Sequence, residues 1–253
     1  MKHVSLSLLI RGAALLLCGS LHGQVLLTDT FDGSVIDSSK WSVLTSQYTP
    51  AGTAGAVYVS GGNAVLVNRG TIITKSEFRS SYELTGRFRI DGNIDRFGVW
   101  LRTTGTSTNP WKDQDNGVFI NFQQETFGDT SRQWIGLNEW SVGGELNITA
   151  PYTSDNNCYL KELTNVSANI PSNAWLNFKI RDDGNNVSVY LNDLDNALFS
   201  VSTRFTPGSK VAFNNGYSNN QVSIDSITIV PETSSLAILA LGGAMVLLGR
   251  WNR

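Results

Sequence analysis

Apolar and polar residues alternate one for one along much of the middle of the chain. In Leu84-Thr85-Gly86-Arg87-Phe88-Arg89-Ile90, Leu84, Phe88 and Ile90 share one side while Arg87 and Arg89 share the other. Phe97, Val99 and Leu101 stand opposite Trp100, and Val118, Ile120 and Phe122 opposite Phe119, Asn121 and Gln123. Successive side chains of a strand point to opposite faces, so this period of two predicts half-buried antiparallel strands. Turn residues fall between the runs. Val57-Tyr58-Val59 and Ala64-Val65-Leu66-Val67 flank Gly61-Gly62-Asn63, a hairpin signal. Leu176, Phe178 and Ile180 precede Asp182-Asp183-Gly184-Asn185-Asn186, and Val187, Val189 and Leu191 continue the same apolar side. No long segment carries helical periodicity, and only the stretch around Leu160 to Leu163 has room for a short helix. Residues 24–230 therefore read as one all-β domain, an antiparallel β-sandwich with neither repeat nor linker.

Both ends break this pattern. Lys2 and His3 precede the apolar run Val4 to Cys18, interrupted by Arg11, and small and polar residues follow through Gly23. That order of basic, apolar and small segments predicts a signal peptide over 1–23, too short in its apolar part to span a bilayer. Leu17 stands before Cys18 where a lipidation signal has a small residue, which argues against lipid attachment. At the other end, Pro231-Glu232-Thr233-Ser234-Ser235 leads into the apolar run Leu236 to Gly249, with Gly242-Gly243 inside it, and then Arg250 and Arg253. This arrangement over 231–253 resembles the PEP-CTERM sorting tail, with Thr233 where that family has a second proline. The resemblance implies transient anchoring in the inner membrane by a short transmembrane segment, with Arg250 and Arg253 on the cytoplasmic side. It also implies removal by an exosortase-type enzyme after signal peptidase has acted, and a final place at the cell surface or in extracellular matrix.

Composition narrows the chemistry. The chain has 253 residues with 10% aromatic and 16% charged side chains, and its 19 Lys and Arg face 21 Asp and Glu. Four of the basic residues sit in the two ends, so the middle is acidic and lacks the electrostatic footprint of a nucleic-acid binder. Cys158 is left without a partner after export, and the two histidines, His3 and His22, lie in or beside the signal. Histidine-based metal sites and Ser/His/Asp triads are thereby excluded from the exported domain.

Three stretches of the middle resemble concanavalin A-like lectin and glucanase jelly rolls, a superfamily that includes laminin-G-like modules. They are Asp29-Thr30-Phe31-Asp32-Gly33 with Lys40-Trp41, the Trp175 to Asn192 hairpin, and the closing Val222 to Ile229. The resemblance implies that the last strand pairs back near the first, and that a structural Ca²⁺ sits there on Asp29, Asp32 and Asp225; no other cofactor is expected. It also implies a comparison with laminarinase-type hydrolases, which place two catalytic acids on an E-x-D-x-x-E strand. That run is missing. The weak stand-ins are Glu139 and Glu145, separated by the turn residues Val142-Gly143-Gly144, with Asp113 and Asp115 beside Trp111. All four read as solvated surface charge, since nothing around them would activate a carboxylate.

Binding is the stronger reading. Trp134, Asn138 and Trp140 share one face of Trp134-Ile135-Gly136-Leu137-Asn138-Glu139-Trp140, and the faces turned from the core carry Arg87, Arg89, Arg96, Trp100, Arg102, Asn121 and Gln123. Aromatic rings beside amides suit sugars, which present apolar C–H faces and many hydroxyls. The expectation is an exported, non-catalytic carbohydrate-binding protein using Trp100, Asn121, Gln123, Trp134, Asn138 and Trp140, with these tryptophans partly exposed and Ile135 and Leu137 buried. A glycoside hydrolase with a non-standard acid pair is the second reading, and a structural matrix protein without ligand the third.

Overall fold

The alternating segments pair into two antiparallel sheets stacked face to face. In this computed structural model residues 25–44, 55–79, 81–92, 94–105, 117–127, 130–140, 152–153, 157–164, 170–216 and 221–232 are described, with backbone alone at 94–95, 125–127, 130–132, 140, 152–153 and 157–164. The first strands are β1 (Leu27–Asp29), β2 (Trp41–Leu44), β3 (Ala56–Ser60), β4 (Asn63–Val67), β5 (Thr71–Thr74), β6 (Tyr82–Asp91), β7 (Ile94–Thr103) and β8 (Gly117–Phe127). They are followed by β9 (Thr130–Trp140), β10 (Tyr152–Thr153), β11 (Asn157–Thr164), β12 (Leu176–Asp182), β13 (Asn186–Leu191), β14 (Phe199–Ser202), β15 (Lys210–Asn215) and β16 (Gln221–Pro231). One sheet runs β14-β13-β12-β6-β16-β4-β3, with β1 also paired to β16; the other runs β10-β11-β9-β8-β7-β15-β5-β2.

The period of two decides which side chains meet between the sheets. Leu84, Phe88 and Ile90 of β6 and Leu176, Phe178 and Ile180 of β12 point inward from the first sheet. Phe97, Val99 and Leu101, Val118, Ile120 and Phe122, and Ile135 and Leu137 answer them from the second. At the centre Phe88 stacks on Phe97 at 4.4 Å, and Phe97 lies parallel to Phe213 at 5.9 Å. The β3–β4 hairpin forms where expected, and Gly61 and Gly62 both take positive φ (59° and 75°), as a turn matched to the twist of its strands requires. The last strand does pair back on the first: Leu27 faces Ile229 and Asp29 faces Ile227.

Three expectations change. Residues 160–163 lie in β11, not in a helix, and Leu163 there stands beside Ile135 of β9; the inter-strand ladder outweighs a weak local preference. The sandwich also runs past residue 230. Pro231 pairs with Tyr82, the Glu232 amide donates to the Ser81 carbonyl at 3.1 Å, and the buried Glu232 carboxylate meets Arg181. Finally, Arg102 does not face outward. Its φ of 53° breaks the alternation at the end of β7 and turns the guanidinium into the end of the sandwich. The predicted signal over 1–23 and the tail beyond Glu232 lie outside the described residues. Among the described residues no helix is long and apolar enough to cross a membrane.

Arg102 ties the two sheets together. Its Nε donates to Asp182 Oδ2 at 2.9 Å and its Nη2 to Asp182 Oδ1, with both residues almost wholly buried. Burial works against the guanidinium charge, and the adjoining carboxylate outweighs it. Tyr82 stands directly across from Asp182 in the sheet register. Burial, then the Asp182 charge, push its phenol well above the ordinary pKa of 10.0. The unfolded chain therefore releases the Tyr82 proton above pH 10 while the folded chain keeps it, and stability falls as pH rises through that range. Tyr82→Phe removes this dependence. Its stability relative to wild type, measured by urea unfolding at successive pH values, is expected to improve steadily above pH 10; a constant difference would contradict the assignment.

Candidate functional site

The outward side of the second sheet carries most of the residues expected to bind. Cross-strand register arranges them in rows. Ile73, Ala212, Trp100, Phe119 and Asn138 stand side by side across β5, β15, β7, β8 and β9. The next row is Thr71, Asn214, Gly98, Asn121 and Gly136, and beyond it lie Arg96, Gln123 and Trp134. The first row is apolar up to Asn138, the second alternates carboxamides with glycines after Thr71, and the third is polar with a half-buried tryptophan.

The face is more enclosed than alternation implies. Trp100 is 2% exposed, not partly open, and it packs at 4.6 Å on Phe119 in a second small cluster with Ile73, Ala212 and Leu44. Ile135 and Leu137 are buried as expected, but between the sheets, so the second sheet has apolar packing on both sides. Asn121, Gln123 and Asn138 are likewise shielded from water. Asn121 Nδ2 donates to Gln123 Oε1 at 3.1 Å, and the Arg96 guanidinium lies 5.7 Å from the centre of the Phe119 ring. Asn121 Oδ1, Asn138 Oδ1 and both polar atoms of the Asn214 carboxamide are buried without a hydrogen-bond partner. Asn214 and Gly98 escaped the sequence reading. The alternation Val211-Ala212-Phe213-Asn214 is the signal for Asn214, in a strand just 6 residues long, and Phe97-Gly98-Val99 is the signal for Gly98.

Other expected residues are placed elsewhere. Arg87 and Arg89 lie on the outside of the first sheet, their guanidinia 5.0 and 4.8 Å from the Trp175 ring. Glu139 is not a solvated surface charge. It points inward at the end of β9, and its Oε1 accepts the Arg204 and Phe205 amides at 2.7 and 2.9 Å. Glu145, Asp113 and Asp115 lie outside the described residues, as does the Trp140 side chain.

The calcium ligands are not brought together. Asp29 Oδ2 accepts the Trp41 indole N–H at 2.6 Å, while its Oδ1 accepts the Phe31 amide at 3.0 Å and meets Lys40 Nζ at 3.6 Å. Asp32 binds the Thr30 hydroxyl at 2.6 Å, and Asp225 pairs with Arg87 at 3.6 Å. These carboxylates cap turns and answer cations, and they do not fit a calcium ion. Among the described residues no group of three or more His, Cys, Asp or Glu could hold a metal. Separately, a concavity of about 610 Å³ opens at the sandwich end over Tyr82, Arg102 and Asp182, its floor the buried ion pair.

Comparison with solved structures settles the fold. The chain is similar to the VIP36 exoplasmic/lumenal domain in its Ca²⁺/Man3GlcNAc-bound form, with a TM-score of 0.56 at 12% identity over 81% of this chain and 91% of that one. It is similar to SCLam, a non-specific endo-β-1,3(4)-glucanase of family GH16, with a TM-score of 0.53 at 11% identity over 83% and 91%. The Emp46p carbohydrate recognition domain in its potassium-bound form gives 0.51 at 15% identity over 80% and 94%. The fold is the concanavalin A-like jelly roll. No family profile matches the chain, and neither does any curated protein. Lectins and glucanases share this fold, so the fold by itself does not choose between binding and hydrolysis.

Glu139 yields a test of its structural role. Glu139→Ala strips two part-buried amides of their acceptor, and each such loss costs at most about 1–3 kcal/mol. The variant is expected to unfold at lower urea concentration than wild type; equal stability would overturn the role.

Proposed function

We propose that this protein is an exported, non-catalytic carbohydrate-binding protein of the cell envelope or extracellular matrix, and that the outward face of its second sheet receives the glycan. The observation that carries this reading is the set of orphaned carboxamide atoms on Asn121, Asn138 and Asn214. A buried polar atom without a partner costs about 1–3 kcal/mol, and a ligand hydroxyl relieves that cost. The half-buried Trp134 supplies apolar surface of the kind sugar rings stack on. The Emp46p carbohydrate recognition domain has the same fold, which admits binding without choosing it over hydrolysis.

Hydrolysis is the second reading, favoured by the similarity to GH16 glucanases. A retaining glycosidase needs two carboxyl groups about 5–5.5 Å apart on either side of the scissile bond. Among the described side chains of this face there is no carboxylate, and Glu139 is committed to backbone amides on the inner side. Binding without cleavage is expected on a panel of β-glucan and mannose oligosaccharides. Trp134→Ala is expected to lose about 2 kcal/mol of affinity, a ring-stacking anchor's share, with little change in melting temperature. Product release from any of these substrates would establish the hydrolase instead.

Export and sorting belong to the same proposal, with signal peptidase and an exosortase-type enzyme as processing partners. The support is in the two terminal patterns, with Pro231, Glu232, Arg250 and Arg253 as the sorting residues. Material recovered outside the cell is expected by mass spectrometry to have lost Leu236 to Arg253; intact tails would contradict it.

A further inference from the structure

We infer that this face takes a neutral, hydroxyl-rich glycan without the help of a metal ion, and that Gly98 sets the specificity by letting Asn214 lie across β7 toward Asn121. The inference rests on the carbohydrate-binding reading and adds the charge class of the ligand and the residues that select it.

The orphaned atoms are unequal in kind. Asn121, Asn138 and Asn214 are 6%, 5% and 1% exposed, and each leaves its Oδ1 without a partner, whereas the Asn214 Nδ2 is the one orphaned donor among them. The Asn121 carboxamide cannot simply be turned over, because its Nδ2 already donates to Gln123. Three acceptors against one amide donor call for a ligand that chiefly donates. A hydroxyl does so, and its oxygen can also accept from Asn214 Nδ2. A carboxylate or sulfate ester only accepts, so at the row of Asn214, Gly98 and Asn121 its lone pairs would meet the carboxamide lone pairs in a shielded place where repulsion is weakly screened. Arg96, on the same face, stands in the next row with its guanidinium against the Phe119 ring. A calcium ion would satisfy the oxygens, but such sites draw on carboxylates, and the described side chains of this face offer none.

Gly98 makes the arrangement possible. A Cβ there would lie 1.9 Å from Asn214 Oδ1 and 2.6 Å from Phe119 Cε2, so the Asn214 carboxamide and the Phe119 ring rest on bare backbone. Gly98 stands between Asn214 and Asn121 in the register, Asn214 Oδ1 lies over it, and the two carboxamides flank it as one hydroxyl-reading pair. A glycine inside a strand weakens the sheet, and close approach is the reason it is kept here.

Calorimetry on the full exported chain tests the inference with a β-1,3-glucan oligosaccharide, a mannose oligosaccharide and a sulfated counterpart of each, with and without EDTA. A neutral probe is expected to bind with a Kd unchanged by EDTA, and its sulfated counterpart at least tenfold more weakly. Asn214→Leu and Asn121→Leu are expected to weaken neutral binding at least tenfold. Asn214→Leu, which removes two orphaned atoms, is also expected to raise the melting temperature of the unliganded protein by about 2–4 °C, a gain that Asn121→Leu forfeits by breaking the bond to Gln123. Gly98→Ala is expected to weaken binding as Asn214→Leu does. Loss of binding in EDTA, tighter binding of a sulfated probe, or leucine variants that bind normally would overturn the inference and leave the carbohydrate reading standing. Wild-type protein that binds no probe would overturn both.

Discussion

Everything outward of the second sheet depends on the phenylalanine stack that fastens it to the first. Phe88 and Phe178 from one sheet close on Phe97, Phe122 and Phe213 from the other, with ring centres 4.4–6.2 Å apart. Aromatic pairs at such separations contribute about 0.5–1.5 kcal/mol beyond the area they bury. Because these rings sit at alternate positions of β7, β8 and β15, they also determine which residues must point the other way. Gly98, Asn121 and Asn214 are the neighbours in register on that other side. The packing of the core and the layout of the candidate site are thus one decision.

The site side is then costly in a way the core is not. Burying carboxamides without partners is opposed by about 1–3 kcal/mol for each orphaned group, and a glycine at 98 removes a side chain where a strand gains from one. A structure that keeps both features next to an aromatic pair has its strain concentrated at one place. The opposite surface is arranged differently. On the outside of the first sheet, Arg87 answers Asp225, Arg89 answers Asp91 and Lys179 answers Glu83, and the cationic groups also lie over Trp175 and Tyr190. Polar groups there have partners, as a face meant for water would.

Much of the fold was legible because antiparallel alternation is a local signal. Leu84, Phe88 and Ile90, or Val118, Ile120 and Phe122, declare their side within a few residues, and Gly61-Gly62 declares its turn. The site was legible only in part, for a physical reason. Alternation says which residues share a face but not what lies above it, so Trp100 and Asn121 were placed on the correct side while their enclosure was missed. Arg102 departs from its expected side through one backbone torsion, and Glu139 follows the alternation inward, where only tertiary contact with residues 204–205 explains a buried carboxylate. Asn214 and Gly98 carry meaning through register across strands far apart in sequence, which no reading of one segment contains.

The pairing of β1 with β16 has a mechanical consequence. The two strands run antiparallel, with Leu27 beside Ile229, so the chain enters and leaves the sandwich at one corner. A force that draws the two ends apart therefore loads this ladder in the manner of a zipper, one bond at a time, instead of shearing all bonds together. β1 has 3 residues, so it is the first element to peel away. The remaining strands, among them the rows bearing Asn121 and Asn214, are held by pairings that such a pull does not reach directly. Tension on the termini would thus be absorbed at one edge while the outward face of the second sheet kept its shape.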